Sequence, residues 1–555
     1  MMEYSKLTEI YDRLEGISGR LEMTDIIAEF ISKTPEDVLP TTILFLRGQV
    51  FPAWSTLELG VADKLMVKAL SKVSGVTEEK IGDILRDKGD MGLVAEEVLV
   101  TKHQTTLFSE KLTLEKVAEN MRKIASLTGK GSQDKKLGYI TELLTNSSPK
   151  ECKYIVRLIL GQLRLGVGDG IVRDAIAQAY NVTPELVEKA YNMRSDLGEA
   201  AKTAKAEGNA GLEKVSIQPG QPVKVMLAQK AESIASVIED LGECEFEVKY
   251  DGARLQIHKY DGKIELYTRR LENVTQQFPE IVKASRENIK AESCIIEGEV
   301  VAINSLEDRR PRPFQYLSRR IKRKYRINEM VREIPVELNL FDLIHLNGES
   351  RIETEFIERR KMLAGIIKES ELYQLAENLI TGDEKKAEEF YKKALDMGHE
   401  GVMVKNLKAP YKPGSRVGYM YKIKPVMESL DLVITGATWG EGRRANWLGS
   451  YLLSVYDNES GQLLEIGRMA TGLTDQQLAD MTEVLKPTIV RQSGKEVDLR
   501  PTVVVEVAYE EIQKSPTYAS GYALRFPRLV RVREDKGVEE ADTLSRVESL
   551  VKSAH

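Results

Sequence analysis

The sequence predicts a multidomain protein: an all-α domain, an α+β domain with antiparallel sheets, and a small β-barrel domain. Three observations carry this expectation. Apolar residues return at helical spacing through roughly the first two hundred positions, strand-like runs then alternate with shorter helices, and five more strand-like runs surround one helix near the end. At 555 residues the chain is also too long for a single hydrophobic core. The predicted boundaries are 1–218, 219–425 and 426–555.

In the first region Leu7, Ile10, Tyr11 and Leu14 open the helical pattern. Thr34-Pro-Glu36 and Thr183-Pro-Glu185 each read as a helix start: a capping threonine, proline at the first helical position, and an acid near the positive end of the dipole. Lys153 to Arg173 combines arginines with Gly166, Gly168 and Gly170. Glycines ahead of a new helix expose backbone N–H groups to a phosphate, although an amphipathic helix with a glycine stop explains the same residues. Gln104-Thr-Thr-Leu-Phe108 reads either as a peptide that hooks a partner or as a buried Leu-Phe pair. Between Ser195 and Lys224 the composition shifts to Ala, Gly, Lys and Glu and ends in Gln218-Pro-Gly-Gln-Pro222, which predicts a flexible connection.

Composition narrows the classes. The net charge of -6 leaves nucleic-acid binding to local basic patches. Three separated cysteines, Cys152, Cys244 and Cys294, build neither a disulfide framework nor a four-cysteine zinc site, and the expected setting is intracellular. No apolar run has the length of a membrane span, and the first residues lack the hydrophobic segment of a signal peptide.

The middle region is predicted to form strands at Cys244 to Tyr250, Arg254 to Lys259, Ile264 to Thr268, Ile295 to Ile303, Val336 to Leu343 and Gly401 to Lys405. Its organising stretch is Glu247-Val-Lys-Tyr-Asp-Gly-Ala-Arg254, where Lys249 ends an apolar run. A lysine attacks only when deprotonated, which requires desolvation or cationic neighbours such as Arg254. Gly252 permits a tight turn and the approach of a bulky ligand, and Asp251 is expected to hold that turn. Alone, Lys-x-Asp-Gly arises by chance in roughly one chain in ten of this length. Tyr260-Asp-Gly-Lys263, close behind it, reads as an ordinary hairpin turn. Lys422 and Lys424, one residue apart on a strand expected to end at Pro425, would place two amines on one face. Glu299 and Glu400 sit among apolar strand residues, where burial without a partner is expensive. Arg309 to Arg326 is the densest basic stretch, and its interleaved Phe314, Tyr316 and Tyr325 predict a structured basic surface.

In the last region, runs at Leu430 to Gly436, Ser450 to Tyr456, Leu463 to Arg468, Val503 to Ala508 and Leu529 to Val532, with a helix at Asp475 to Leu485, suit an OB-fold barrel. Arg533-Glu-Asp-Lys536 follows its final strand, a position that a basic protected edge also explains.

The motifs Lys249-Tyr-Asp-Gly252, Glu297-Gly-Glu299, Phe341-Asp-Leu, Glu400-Gly-Val-Met-Val-Lys405, Tyr421-Lys-Ile-Lys424 and Arg533-Glu-Asp-Lys536 stand in this order. The series resembles that of covalent nucleotidyltransferases, most closely the ATP-dependent DNA ligases of the archaeal and eukaryotic replicative type. The resemblance implies a helical DNA-binding domain, an adenylation domain and an OB-fold domain that swings about Pro425. It implies Lys249 as the residue that takes AMP, Glu247 on the adenine edge, Phe341 stacked on the base, and Glu299 on the ribose. Arg254, Arg269, Arg416, Lys422 and Lys424 would bind phosphate or nucleotide, and Glu299 and Glu400 would hold Mg2+. ATP is the implied adenylyl donor, nicked double-stranded DNA the implied partner of a monomer, and Gln104–Phe108 the implied sliding-clamp peptide. RNA ligases and mRNA-capping guanylyltransferases share the lysine motif but seldom carry a long helical domain in front. NAD-dependent ligases carry zinc cysteines absent here, and a non-catalytic DNA scaffold would not need the lysines and glutamates to be intact.

Overall fold

The computed structural model describes residues 2–100, 111–129, 131–323, 325–425, 428–440, 444–470 and 473–553, so Gln104–Phe108 lies outside the described residues. Two compact units divide the chain, Met1–Ile423 and Lys424–His555. No helix among the described residues is long and apolar enough to cross a membrane.

The first unit opens with twelve helices between Tyr4 and Lys214 among the described residues, packed on one apolar core that includes Tyr4, Tyr11, Phe45 and Tyr154. Local chemistry sets several starts: Thr77, Asp90, Thr113 and Ser148 each accept the backbone N–H three residues on, and Ser148 forms a full capping box with Glu151. The helix Pro184–Arg194 begins where predicted. Thr34 does not start a helix: it is buried just past the end of the helix Arg20–Ser32, where its hydroxyl donates back to the Phe30 carbonyl at 3.0 Å. The next helix is Leu39–Leu46, with Pro40 in its first turn. In the glycine-rich turn Gly166 takes φ +75°, and the helix Asp169–Tyr180 follows Gly168. Arg157 is turned inward to Asp90 and Glu15, while Arg164 is exposed.

The rest of this unit forms two sheets. The first orders its strands Gln229–Lys230, Met420–Ile423, Val402–Lys405, Cys244–Val248, Asn378–Thr381. The second orders them Lys263–Thr268, Ala253–Tyr260, Cys294–Ala302, Val336–Leu346, Glu349–Ser350, with Tyr373–Leu375 also on Val336–Leu346. Pairing is antiparallel except at Gln229–Lys230 and Tyr373–Leu375. The predicted hairpin at Asp261-Gly262 is present, with φ of +46° and +72°. The chain passes from one sheet to the other between Val248 and Ala253, so Lys249 to Gly252 form the crossing.

Part of the basic stretch is held in ion pairs and part of it is exposed. Arg320 is fully buried, donating to the Gln277 and Ile334 carbonyls and pairing with Glu280, while Arg309 pairs with Glu337 at 2.6 Å and Arg310 with Asp308 at 2.7 Å. Lys322, Arg323 and Arg326 stay exposed beside Tyr325.

The second unit is β-rich. The five predicted strands are present, at Leu430–Trp439, Leu448–Asp457, Gln462–Met469, Val504–Ala508 and Arg528–Val532, and four short ones join them. These are Ile489–Ser493, Glu496–Leu499, Glu511–Lys514 and Tyr522–Arg525; their short, charged sequences give no apolar run to read. The helix Asp475–Leu485 starts in a Thr474–Gln477 capping box and seats Leu478, Met481 and Leu485 in the core. Among the described residues no pairing joins Gln462–Met469 to Arg528–Val532, so the ladder is an open path.

Candidate active site

Lys249 directly follows the fully buried strand Cys244–Val248. Its N–H donates to the Gly401 carbonyl at 2.9 Å, and the Glu400 N–H donates to the Lys249 carbonyl at 3.0 Å. These two bonds set Lys249 beside Glu400, and Lys249 Nζ donates to Glu400 Oε2. The two side chains are only 19% and 16% exposed, so the amine is drawn out of bulk water. Gly401 lets the strand Met420–Ile423 close in beside it: its φ is +129°, and a Cβ there would lie 2.2 Å from the Ile423 carbonyl oxygen.

Gly252, in the bend of the crossing, plays a similar part. A Cβ on it would stand 2.3 Å from the Val300 carbonyl oxygen and 3.0 Å from Glu299 Cγ, so its lack of a side chain admits the neighbouring strand. Asp251 does not merely hold its own turn: its carboxylate accepts the Phe314 N–H at 3.2 Å and ties the crossing to the basic segment. Glu299 faces Arg254 across the ladder. Burial pushes the Glu299 carboxyl up to about 8, with Glu400 and Asp251 adding to the rise and Lys249 and Arg254 opposing it. Lys249, Glu299 and Glu400, distant in sequence, therefore share one electrostatic cluster.

A second cluster surrounds Phe341 on the strand Val336–Leu346. Arg254 lies over its ring at 5.1 Å and Lys405 at 4.6 Å. Lys405 donates to Glu247 Oε1 at 2.8 Å, whereas Glu247 Oε2 is buried without a bonding partner. Arg254 pairs with the wholly buried Glu297 and also donates to the Met226 carbonyl at 3.2 Å and the Tyr411 hydroxyl at 3.3 Å. Asp342 and Arg359 form a buried bidentate pair at 2.8 and 3.0 Å; burial resists ionisation of Asp342, and Arg359 outweighs it to hold the carboxyl below its ordinary range.

Lys422 is half-buried on Met420–Ile423, opposite Met403 and Lys230. Lys424 is not on that strand, contrary to expectation. The ladder stops at Ile423, where the partner strand bends through Gly401, and Lys424 begins the second unit with its amine 3.7 Å from Glu510. Arg269 is exposed past the strand Lys263–Thr268, and Arg416 is exposed in the loop before Met420–Ile423. Sequence reasoning gave no role to Glu297, Lys405 or Tyr411. The alternation of Glu297 with Glu299 on one strand face was the available signal for the first; the other two depend on long-range pairing.

A family described as "ATP dependent DNA ligase domain" matches residues 225–424, "DNA ligase N terminus" matches 3–177, and "ATP dependent DNA ligase C terminal region" matches 444–536. The chain is 50% identical to a DNA ligase of Thermococcus onnurineus over 99% of its length and 98% of that protein. It is 46% identical to a DNA ligase of Archaeoglobus fulgidus, covering 99% of both chains. The solved structure titled Pmar-Lig_Pre overlaps 95% of this chain and 99% of that one at a TM-score of 0.56 and 18% identity, a likeness of fold. With fold, crossing lysine and full-length similarity in agreement, this chain belongs to the ATP-dependent DNA ligases of the archaeal type.

Proposed function

We propose that the protein seals nicks in double-stranded DNA with ATP through a covalent Lys249–AMP intermediate, serving replication, repair and recombination inside the cell. The observation that carries this reading is the desolvated amine of Lys249, bonded to Glu400 in the cluster that contains Glu299.

In the first step Glu400, the acceptor of the Lys249 amine in the structure, takes one proton from it; the neutral Nζ bonds to the α-phosphorus of ATP, pyrophosphate leaves with the electron pair of the broken P–O bond, and the second proton on nitrogen passes to the departing pyrophosphate. A 5'-phosphate oxygen at the nick then attacks the same phosphorus, the P–N bond breaks, and the lysine amine is regenerated. Finally the 3'-hydroxyl attacks the 5'-phosphorus, and AMP leaves. Phe341 stacks the base, and Glu247 accepts from its amino edge; the support for the second role is that Glu247 Oε2 is buried without a bonding partner. Glu299 binds the ribose, while Arg254, Arg269, Arg416, Lys422 and Lys424 serve phosphate and nucleotide. Two carboxylates, Glu299 and Glu400, suit Mg2+, which takes few protein oxygens and completes its shell with water and substrate phosphate. When bound, the ion neutralises charge on the transferring phosphoryl group.

The reading divides the chain into a DNA-binding domain at 1–218, an adenylation domain at 219–425 and an OB-fold domain at 426–555 that swings about Pro425. The protein acts as a monomer, and Gln104–Phe108 is the proposed clamp-binding peptide. Incubation with α-labelled ATP should mark the native chain and leave Lys249→Ala unlabelled; an acid-labile adduct on that variant would refute the assignment. Failure of the labelled native chain to close a nicked duplex would refute the substrate.

A further inference from the structure

Glu297, the partner of Arg254, is not isolated. Gln256 Nε2 donates to Glu297 Oε1 at 3.0 Å and to the Val223 carbonyl at 2.9 Å, while Gln256 Oε1 accepts the Val223 N–H at 2.8 Å. Next along the same strand face is His258, whose Nδ1 accepts the Gly220 N–H at 3.0 Å. That bond fixes the tautomer: the proton is on Nε2 and is donated to Gln256 Oε1 at 3.1 Å. Gln256, His258 and Glu297 are all buried, so each of these bonds is made out of water. The segment Gly220 to Met226, which joins the helices to the two sheets, is thus bonded at Gly220 and Val223 to a side-chain chain that ends on Arg254, and Met226 itself receives Arg254.

We propose that Gln256 and His258 are positioning residues for adenylyl transfer: by pinning this connection to Glu297, they fix the guanidinium of Arg254 over the ring of Phe341. The proposal rests on the reading of Arg254 and Phe341 as nucleotide-binding residues. Glu297 has one oxygen for Gln256 and the other for Arg254, so freeing the first lets the carboxylate turn and carries the guanidinium with it. The connecting segment then forms part of the nucleotide site, and its seating and ATP binding favour each other.

The test is single-turnover formation of Lys249–AMP by the full chain across ATP concentrations, with thermal melting in parallel. Gln256→Leu should raise half-saturating ATP at least tenfold while the maximal rate stays within about threefold of native, since 1.4 kcal/mol of lost positioning is one decade. Gln256→Met keeps the volume and removes the donor to Glu297, and should shift ATP in the same direction if the leucine variant fails to fold. His258→Leu should behave like Gln256→Leu, whereas His258→Gln, which can accept from Gly220 and donate to Gln256, should recover near-native half-saturation. Unchanged ATP dependence in both Gln256 variants, or a fall in maximal rate without a shift in half-saturation, would overturn the proposal. Phe341→Ala separates the two readings: if it leaves half-saturating ATP unchanged, the nucleotide site is misplaced; if it raises it and Gln256→Leu does not, only the relay fails.

Discussion

His258 should make the α+β region sensitive to acid in a defined window. It is wholly buried, and burial, aided by the neighbouring His345, lowers its pKa from 6.5 to about 3. A histidine whose folded pKa is depressed binds its proton more readily in the unfolded chain. Its contribution to stability is therefore complete above 6.5, declines as pH falls, and is fully lost only below about 3. Fully expressed, the difference amounts to about 5 kcal/mol, of which about 2 kcal/mol is lost by about pH 5. His258→Gln removes the titrating ring and retains the hydrogen-bonding pattern. Urea unfolding at pH 7.5 and pH 5, followed by a probe in this region, should show the native chain losing about 2 kcal/mol more than the variant across that interval. Equal losses would mean that the ring is solvated or already charged in the fold, and the tautomer assignment would fall with it.

Gly252→Ala places a methyl group against the Val300 carbonyl and should cost about 1–3 kcal/mol while slowing Lys249–AMP formation at least tenfold, as read by melting and by labelling. Arg359→Met strands the buried Asp342 carboxylate and should destabilise the fold by about 3–5 kcal/mol; a melting curve within a degree of native would show that the pair is dispensable. Phe341→Ala should raise half-saturating ATP tenfold or more, consistent with about 1–3 kcal/mol for stacking of a base on an aromatic ring, with little change in duplex affinity in a gel-shift assay. Glu299→Gln should raise the Mg2+ concentration needed for half-maximal adenylation, and an unaltered Mg2+ dependence would remove Glu299 from the metal site.

The parts of the fold legible in the sequence were those whose cause is local. The strands at Cys244–Val248 and Cys294–Ala302 set apolar, strand-forming residues around two glutamates each, and Asp261-Gly262 has the chemistry of its turn. Thr34 misled because it closes the preceding helix, buried just past Ser32 with its hydroxyl donating one turn back, so the next helix starts only at Leu39. The four short strands of the second unit alternate charged and apolar residues too briefly to register. Within the candidate site, Lys249, Glu299 and Glu400 could be picked out individually as chemically costly residues in apolar surroundings. Their mutual placement could not, because it depends on a ladder that pairs Val248 with Val402. The same pairing brings Lys405 to Glu247, and a separate pairing brings Arg254 towards Glu297 through its neighbour Glu299. Gly252 was legible as a turn residue, but the carbonyl of residue 300 that fills the space of a side chain was not, because that contact comes from a strand distant in sequence.

Lys422 and Lys424 are separated by one residue, yet the boundary between the two compact units falls at Ile423. One short basic motif is thereby divided between two owners. Lys422 is seated by its register with Met403, whereas the seat of Lys424 belongs to the second unit. It follows that a packing defect in one unit would misplace one of these ammonium groups and spare the other.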